Sequence, residues 1–380
     1  MRKARQLPAS HVPYTDKYFL RTNEILKKEN LNPRIAMKVF CRGEGPTAGL
    51  DEAVEILTQY SHLEKQGGEI LVIDKKHFSH NEPLMIIKAP VQSIVELETM
   101  YLGVLSSAIS DAVGIAPPDA EQVTGKLKRL KAIFQEIPIT YFGARHFHWS
   151  LDKTIAAAAL KGGAVQTSTD IGSSNIGKKG VGTMPHLLII VLASVYGIEN
   201  ATLKAAELFD KHISPEVPRV TLVDTFNREI TDSLAVARYF GNRENSFRID
   251  TCGEIFGEGE ALYNGKKTKT GDPGFKTGTG VTIQLVTNVR NQLIKNGFGA
   301  STEIFLSSGF GNEDKAGAFV NAHREYKEKT GFNLFAGVGI GEISKARICT
   351  ADVFEVNDRP LAKTGREAID IDYSVMKRVV

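Results

Sequence analysis

The sequence predicts an α/β protein with two units, an N-terminal α+β unit and a longer unit of alternating strands and helices. The chain has 380 residues, which is more than one ordinary domain holds. Strand patterns precede helical patterns in its first third, whereas short apolar strands alternate with helical segments after Pro138. Its content of 42% hydrophobic and 24% charged residues is that of a globular protein.

The first unit begins with a helical pattern from Thr15 to Lys28, where apolar residues recur at helical spacing. Strand patterns and an amphipathic helix follow it. The strands are Ile35–Phe40, Glu69–Ile73 and Leu84–Ile94, the helix is Glu52–Leu63, and two further helices run from Leu97 to Ser110 and from Pro117 to Gln135. Residues 1–136 are therefore predicted to form this unit.

The second unit, residues 137–345, has the rhythm of βα units around a parallel sheet or barrel. Its apolar strands are predicted at Ile139–Phe142, Val220–Val223, Phe247–Asp250, Glu303–Leu306 and Leu334–Gly337. Strand-like character resumes at Val353 to Val356, so residues 346–380 are expected to return to the first unit.

Charge and cysteine content argue against several classes of protein. Lys and Arg exceed Asp and Glu by only three, too few to predict nucleic-acid binding. The apolar stretch Leu187–Tyr196 is too short to cross a bilayer, and the basic segment Met1–Arg5 is not followed by the apolar core of a signal peptide. Cys41, Cys252 and Cys349 have no metal-binding or disulfide spacing and predict reduced thiols. The sequence thus predicts a cytoplasmic protein.

Glycines and short polar residues gather where the predicted strands end, which is where such folds carry their chemistry. Leu306–Asn312 and Phe335–Gly341 are both predicted as glycine-rich turns before a helix, and the N–H groups of such turns can bind phosphate. Asp224 and Asp250 each close a strand, where a carboxylate can hold Mg²⁺ or a ribose hydroxyl. Capping of a following helix is the alternative for each carboxylate.

Two further positions could carry chemistry, and each has a plain structural alternative. Arg145 follows Phe142 closely, and an aromatic ring beside an arginine can stack a flat ring and pair its carboxylate. His186 begins an apolar helix and could accept a phosphoryl group, or could simply lie at the helix start. The segment Gly257–Gly280, with seven glycines and four lysines, is predicted to be a loop that acts as a lid or as a solvated insertion.

In their order along the chain, several segments resemble the nicotinate phosphoribosyltransferases (type II phosphoribosyltransferases), particularly archaeal-type members. The matching segments are Tyr18–Thr22, Phe142–Arg145, Val181–His186, Val223–Thr225, Arg248–Thr251, Ser308–Gly309, Gly337–Gly339 and Lys363–Arg366. The resemblance covers nearly the whole chain. It implies an N-terminal α/β sandwich domain plus an irregular α/β barrel, in a homodimer or higher homo-oligomer with sites at the subunit interface.

The resemblance also implies a reaction of NAD biosynthesis, in which nicotinate and phosphoribosyl pyrophosphate give nicotinate mononucleotide and pyrophosphate. Phe142 would stack on the pyridine ring, Tyr18 from a partner subunit would cover the other face, and Arg248 would meet the carboxylate. The other substrate-binding residues that it implies are Arg145 at phosphate, Gly309, Gly337 and Gly339 around the 5′-phosphate, and Thr183, Ser308, Lys363 and Arg366.

For the catalytic steps, the resemblance implies that Asp224 and Asp250 hold the ribose or Mg²⁺ and that ATP phosphorylates His186 to drive the synthesis. The segment Val165–Asp170 replaces an acidic or Asp-Gly element that many relatives have near the base, so quinolinate and nicotinamide stay open as alternative bases. A non-catalytic barrel protein that binds phosphoribosyl compounds is the alternative outside the enzymes. A binder has no evident use for His186, Asp224, Arg248 and Asp250 together.

Overall fold

The computed structural model describes residues 6–260, 274–367 and 371–380, which contain one antiparallel and one parallel six-stranded sheet. The basic segment Met1–Arg5 and most of the predicted loop Gly257–Gly280, namely residues 261–273, lie outside the described residues. The predictions made for these two segments therefore remain predictions.

The antiparallel sheet contains β1 (Arg34–Cys41), β3 (Glu69–Ile73), β5 (Pro83–Pro90), β12 (Cys349–Val356), β13 (Arg359–Pro360) and β14 (Met376–Arg378). Their order across the sheet is β13-β12-β1-β5-β3-β14. The short strands β2 (Gly45–Pro46) and β4 (His77–Phe78) pair separately. The central strands β1 and β5 carry apolar residues on both faces and are largely buried. Strands β12 to β14 come from the last part of the chain and join this sheet beside β1 and β3.

The parallel sheet contains β6 (Ile139–Tyr141), β7 (Gln166–Thr167), β8 (Val220–Leu222), β9 (Asn245–Ile249), β10 (Thr302–Leu306) and β11 (Gly337–Ile340). Their order across the sheet is β7-β6-β11-β10-β9-β8, and the sheet curls into a half-barrel. Strands β7 and β8 are its two edges, so the described strands do not close into a complete ring. The predicted α/β fold class, with a sheet domain and an irregular barrel, is confirmed.

The helices divide between two hydrophobic cores. They are α1 (Lys17–Lys28), α2 (Leu50–Tyr60), α3 (Val91–Ile94), α4 (Glu98–Ala112), α5 (Ala120–Phe134), α6 (Asp152–Lys161), α7 (Asp170–Ser173), α8 (His186–Tyr196), α9 (Ile198–His212), α10 (Glu229–Phe240), α11 (Ile283–Lys295) and α12 (Glu313–Thr330). Buried residues of α8 and α9 join the core of the antiparallel sheet, whereas α5, α6, α10, α11 and α12 cover the half-barrel.

Helix α8 fixes the position of His186, its first residue. The side chains from Leu187 to Ala193 are all buried, so the helix has no solvent-facing side over this stretch and is held by apolar packing. Within the described ranges no single helix is long and apolar enough to span a membrane. Helices α8 and α9 meet the length and composition criteria only together, with a bend of 118° between them.

Two predicted strands are wrong in their bounds. Leu84–Ile94 is not one strand, because β5 ends at Pro90 and α3 begins at Val91; proline lacks the N–H group that would continue the ladder. Strand β11 runs from Gly337 to Ile340 instead of Leu334–Gly337. The apolar residues that suggested the earlier start, Leu334 and Phe335, pack in the core ahead of the strand.

Candidate active site

Two cavities meet at the carboxyl ends of the half-barrel strands. The larger, about 640 Å³, contains ten of the predicted site residues: Tyr18, Phe142, Arg145, Thr183, Arg248, Asp250, Ser308, Gly309, Gly337 and Gly339. The smaller, about 230 Å³, adds His186, Lys363 and Arg366. Tyr18, Arg145, Arg248, Asp250 and Ser308 line both cavities and so form their common wall.

Two aromatic rings flank Gly182 in the larger cavity. A Cβ atom at Gly182 would lie 2.9 Å from Cδ1 of Tyr18 and 3.6 Å from Cε1 of Phe142, and its φ of +125° suits glycine alone. A Cβ at Gly339 would lie 3.2 Å from the ring of Phe142. The two glycines therefore leave room for the rings. Tyr18 and Phe142 both line the cavity, and the part that they line, here called the aromatic slot, suits a flat heterocycle.

Tyr18 reaches the cavity of its own chain, whereas the sequence predicted that a partner subunit would supply it. Its side chain is 3% exposed, and its hydroxyl donates to Oδ2 of Asp16 at 2.9 Å and accepts from Nη2 of Arg145 at 2.7 Å. These contacts, all within one chain, hold the ring in place, while the prediction of a tyrosine from a partner subunit stays a prediction.

Arg145 is held by acidic side chains rather than left free for phosphate. Its Nη1 donates to Oε1 of Glu98 at 3.2 Å, and Oδ2 of Asp16 lies 3.9 Å from its Nε. Burial raises the pKa of Glu98 to about 8, although the charge of Arg145 opposes the shift. Asp16 and Glu98 were not predicted as site residues, because single acids among apolar residues give no motif.

Arg248 lines the cavity without a carboxylate partner. Its Nη2 donates to the carbonyl of Met184 at 3.2 Å, its Nε is buried and unpaired, and no Asp or Glu oxygen of the described chain lies within 4.0 Å. Arg21 also lines the cavity, donates to the carbonyl of Gly182 and has no such carboxylate partner among the described residues. Burial lowers the pKa of Arg21, which is consistent with a guanidinium that lacks a close anion.

His186 lies at the centre of a polar cluster. Its Nδ1 is 3.0 Å from Oγ1 of Thr225, and its Nε2 is 2.8 Å from Nζ of Lys363. The Nε2 atom is also 3.6 Å from Oδ2 of Asp224 and 3.7 Å from Oδ2 of Asp250. Burial and the charge of Lys363 lower the pKa of His186, so the ring is neutral at pH 7. Because an ammonium can only donate, Nε2 accepts and Nδ1 carries the proton towards Thr225.

Asp224 and Asp250 differ in exposure although both follow strands. Asp224 is fully buried; its Oδ2 accepts from Nζ of Lys363 at 2.5 Å and its Oδ1 from the backbone N–H of Asp250 at 3.2 Å. Both of its oxygens are thus engaged, which argues against the predicted Mg²⁺ role for Asp224. The side chain of Asp250 is 31% exposed; burial opposes its ionisation, but the charges of Arg248 and Lys363 lower its pKa.

Neither aspartate caps a helix, so that alternative is wrong. Among the described residues, the helix after Asp224 is α10, which Arg228 precedes without a capping hydrogen bond. The helix after Asp250 is α11, which Thr282 caps by accepting from the N–H of Leu285. In the described ranges, no group of three or more His, Cys, Asp or Glu side chains is arranged to hold a metal ion.

The loop between β10 and α12 has the features of an anion site. Ser308 and Gly309 have φ angles of 73° and 82°, and Asn312 caps α12 by accepting from the N–H of Lys315. Nζ of Lys315 turns back to donate to the carbonyl of Ser308 at 3.0 Å. Burial lowers the pKa of Lys315 to about 8, while Asp250 opposes the shift. The loop Ser307–Gly311, which lines the cavity, thus leads into the N-terminus of an 18-residue helix, and a lysine of that helix turns back to the loop.

The comparisons with known proteins agree with this geometry. Residues 16–109 match the family model described as quinolinate phosphoribosyl transferase, N-terminal domain. Nicotinate phosphoribosyltransferase from Vibrio cholerae superposes with a TM-score of 0.67 at 14% identity, over 95% of this chain and 89% of that one. The enzyme from Porphyromonas gingivalis gives a TM-score of 0.64 at 14% identity, over 94% and 93%. The chain has the nicotinate phosphoribosyltransferase fold.

Within the nicotinate phosphoribosyltransferase fold, the prediction that Phe335–Gly341 is a turn before a helix is wrong. Gly337 and Gly339 belong to strand β11, and within the described residues the next element is strand β12. A Cβ at Gly337 would lie 2.9 Å from the ring of Phe305. The two glycines therefore give space to neighbouring rings, and of the two predicted glycine-rich turns only Leu306–Asn312 leads into a helix.

Two other predicted residues of this nicotinate phosphoribosyltransferase fold are already engaged. The hydroxyl of Thr183 donates to the carbonyl of Val220 and joins the segment before α8 to strand β8. Arg366 pairs with Glu254 at 3.3 Å and lies 3.8 Å from Asp352. Lys315 and Thr225, by contrast, were missed. Lys315 could have been predicted from its position in the first helical turn after a glycine-rich loop.

Proposed function

We propose that the protein is a phosphoribosyltransferase that joins nicotinate to phosphoribosyl pyrophosphate, with nicotinate mononucleotide and pyrophosphate as products. One observation carries the proposal: a single cavity is lined by the aromatic rings of Tyr18 and Phe142, by an arginine without a carboxylate partner, and by a loop that leads into a helix. The aromatic slot suits a pyridine ring, Arg248 its carboxylate, and the loop the 5′-phosphate.

In the proposed reaction, the pyridine nitrogen forms a bond to C1′ of the ribose as the bond from C1′ to the pyrophosphate oxygen breaks. Positive charge develops on the ribose, and the ionised carboxylate of Asp250 is placed to stabilise it. The aromatic slot and Arg248 orient the ring for attack. Mg²⁺ would accompany the pyrophosphate, and of the two predicted carboxylates only Asp250 has an exposed side chain to meet it.

The reaction is tested with purified protein and a panel of bases, namely nicotinate, nicotinamide and quinolinate, each assayed with and without ATP. We expect nicotinate to release pyrophosphate and form the mononucleotide. Turnover of a different base alone would overturn the choice of substrate. Binding of phosphoribosyl pyrophosphate without turnover of any base would favour the non-catalytic barrel protein.

We further propose that ATP phosphorylates His186 and that this step drives the synthesis. The lone pair of Nε2 would attack the γ-phosphorus and ADP would leave, with Lys363 moving from Nε2 to the new phosphoryl oxygens. The neutral imidazole with its proton on Nδ1 supports this role, since a protonated ring has no lone pair to donate.

The phosphorylation is tested with γ-labelled ATP. Label should remain on the wild type in acid-labile form and be absent from His186→Ala. The matched control is His146→Ala, since His146 also lines the cavity but is hydrogen-bonded to the carbonyl of Gly341 at 3.0 Å. Equal labelling of wild type and His186→Ala would refute the phosphohistidine.

A second base is favoured by one observation. Arg21 is a second cavity arginine without a carboxylate partner in the described chain, and quinolinate carries one more carboxylate than nicotinate. The match of residues 16–109 to a quinolinate phosphoribosyl transferase domain points the same way. Release of carbon dioxide with quinolinate, at a rate above that of nicotinate turnover, would select this function.

The remaining expectations belong to the same proposal. We expect a cytoplasmic enzyme that acts as a homodimer or higher homo-oligomer. Sedimentation of the purified protein at several concentrations would test the assembly, and a monomer at all of them would exclude it.

A further inference from the structure

Two cysteines that are far apart in the sequence are neighbours in the fold. Cys41 ends β1 and Cys349 begins β12, and the antiparallel register pairs them directly. Paired residues of antiparallel strands have Cα atoms about 4.5–5.5 Å apart, and a disulfide tolerates about 4.4–6.8 Å. The backbone therefore already holds the two residues within disulfide range.

The surroundings of the pair favour reaction between its members. Both side chains are buried and no bond joins them. A hydrogen bond shared by the two thiols lowers the pKa of Cys41 and, together with burial, raises that of Cys349. Cys349 also lines the larger cavity and is 1% exposed, so a peroxide in the site reaches the pair when this part of the wall opens locally.

We propose that Cys41 and Cys349 form a reversible disulfide when the protein meets a peroxide, and that this bond lowers the activity of the adjacent site. A thiolate of the pair attacks the peroxide, which breaks the O–O bond and leaves a sulfenic acid and one water. The other thiol then attacks the sulfenic sulfur, the disulfide forms and a second water leaves. Two thiols and one hydrogen peroxide thus give one disulfide and two waters.

The bond would act on the site through the residues next to each cysteine. Thr350, which follows Cys349, lines both cavities. Arg42, which follows Cys41, lines the smaller cavity and pairs with Glu254 at 3.0 Å. A disulfide brings two sulfur atoms to about 2.05 Å and fixes the dihedral angle between them, so its formation turns the two side chains and shifts the cavity wall that Cys349 lines. The effect on activity rests on the proposed function, whereas the formation of the bond does not.

The test uses the full chain, treated with hydrogen peroxide, then denatured and alkylated with N-ethylmaleimide. Of the three cysteines, we expect only Cys252 to be alkylated, and non-reducing peptide mapping to recover the peptides of Cys41 and Cys349 joined. Pyrophosphate release should fall several-fold and return after dithiothreitol. After the same peroxide treatment, the activity of Cys349→Ser should not rise when dithiothreitol is added, because this variant cannot form the bond.

Cys252→Ser is the matched control, because its Sγ lies near the carbonyl of Thr364 and it keeps the proposed pair intact. This variant should form the same bond as the wild type. Alkylation of all three thiols, a sulfinic acid on one cysteine, or a bond to Cys252 would overturn the proposal. If the disulfide forms and activity is unchanged, the regulatory part is wrong. If the untreated protein has no activity, the proposed function is wrong. The peptide map then still shows whether the disulfide forms.

Discussion

The cavity arginines differ in what holds them, and this difference governs how a substrate anion is recognised. Arg145 is bound by Glu98 and by the hydroxyl of Tyr18, whereas the side-chain hydrogen bonds of Arg248 and Arg21 go to backbone carbonyls. A guanidinium that donates to a carbonyl keeps its full charge for a ligand. We therefore propose that Arg248 and Arg21 recognise the base, whereas Arg145 holds Tyr18 in place.

Replacement of Arg248 by alanine should weaken nicotinate binding or transition-state stabilisation by ~2–5 kcal/mol, because a desolvated carboxylate loses its partner. The ratio kcat/KM for nicotinate measures this loss. Arg21→Ala is the matched variant: it should affect turnover of quinolinate more than that of nicotinate. A change near zero for Arg248→Ala would mean that another residue binds the carboxylate.

Glu98 should make the stability of the protein depend on pH. Burial raises its pKa from 4.5 to about 8, so between these values the folded state holds a proton that the unfolded state has released. Stability is then greatest below about pH 4.5 and falls as pH rises towards 8, by at most about 1.4 kcal/mol per pH unit. Glu98→Gln keeps an acceptor for Arg145 but lacks this proton.

Urea unfolding of both proteins at about pH 5 and pH 8 measures the effect. The variant should gain stability relative to the wild type as pH rises. An unchanged difference between the two proteins at both pH values would show that Glu98 is ionised in the folded state.

At the scale of elements, the loop before α12 depends on a close backbone approach. A Cβ at Gly311 would overlap the carbonyl oxygen of Glu342, whereas a Cβ at Gly317, inside α12, would meet nothing within 4 Å. Gly311→Ala should therefore distort the phosphate loop and raise KM for phosphoribosyl pyrophosphate about tenfold, equivalent to ~1.4 kcal/mol.

Gly317→Ala is the control for this prediction. Alanine in the middle of a helix should stabilise the protein by ~0.5–1 kcal/mol and leave KM unchanged. An equal KM for both variants and the wild type would indicate that the phosphate binds away from this loop.

Most elements could be predicted from the sequence, because their hydrophobic periodicity is strong and local. Strand β3 was predicted at its observed bounds, Glu69–Ile73. The edge strand β14, Met376–Arg378, was missed since two of its three residues are exposed and carry no pattern. The start of β11 was misplaced because Leu334 and Phe335 are apolar for a different reason, the packing of a loop into the core.

From the residue pattern alone, the candidate site was predictable where its residues follow strands or begin a helix, whereas Tyr18, Lys363 and Arg366 came from the resemblance. Asp224 and Asp250 were found in this way. Pairings between distant segments, such as Lys363 with Asp224 or Cys41 with Cys349, depend on the path of the whole chain and leave no local signal. The roles of these residues in catalysis stay predictions.

For the whole molecule, one buried ion pair joins the C-terminal segment to the half-barrel. Nζ of Lys363 lies 2.5 Å from Oδ2 of Asp224, and both side chains are almost fully buried. Removal of one partner leaves an uncompensated buried charge, which costs ~3–5 kcal/mol. Asp224→Asn should therefore lower the free energy of unfolding by about this amount.

The control is the pair Lys363→Met and Asp224→Asn combined in one chain. Because the double variant buries no charge at this position, it should be more stable than Asp224→Asn alone. Urea unfolding of the wild type, of Lys363→Met and Asp224→Asn alone, and of the double variant measures the four free energies that the comparison needs. Additive losses in the double variant would show that the two side chains do not interact.

The same connection sets the order in which the protein can become functional during synthesis. His186, Asp224 and Asp250 emerge from the ribosome well before Lys363, and β1 has no β12 beside it until residues 349–356 have followed. A nascent chain that already contains the half-barrel still has an incomplete polar cluster and an open edge on its first sheet. Such an edge can pair with other chains. We therefore expect chaperone binding and misassembly to concentrate in the interval before residue 363 is made, and activity to begin only after it.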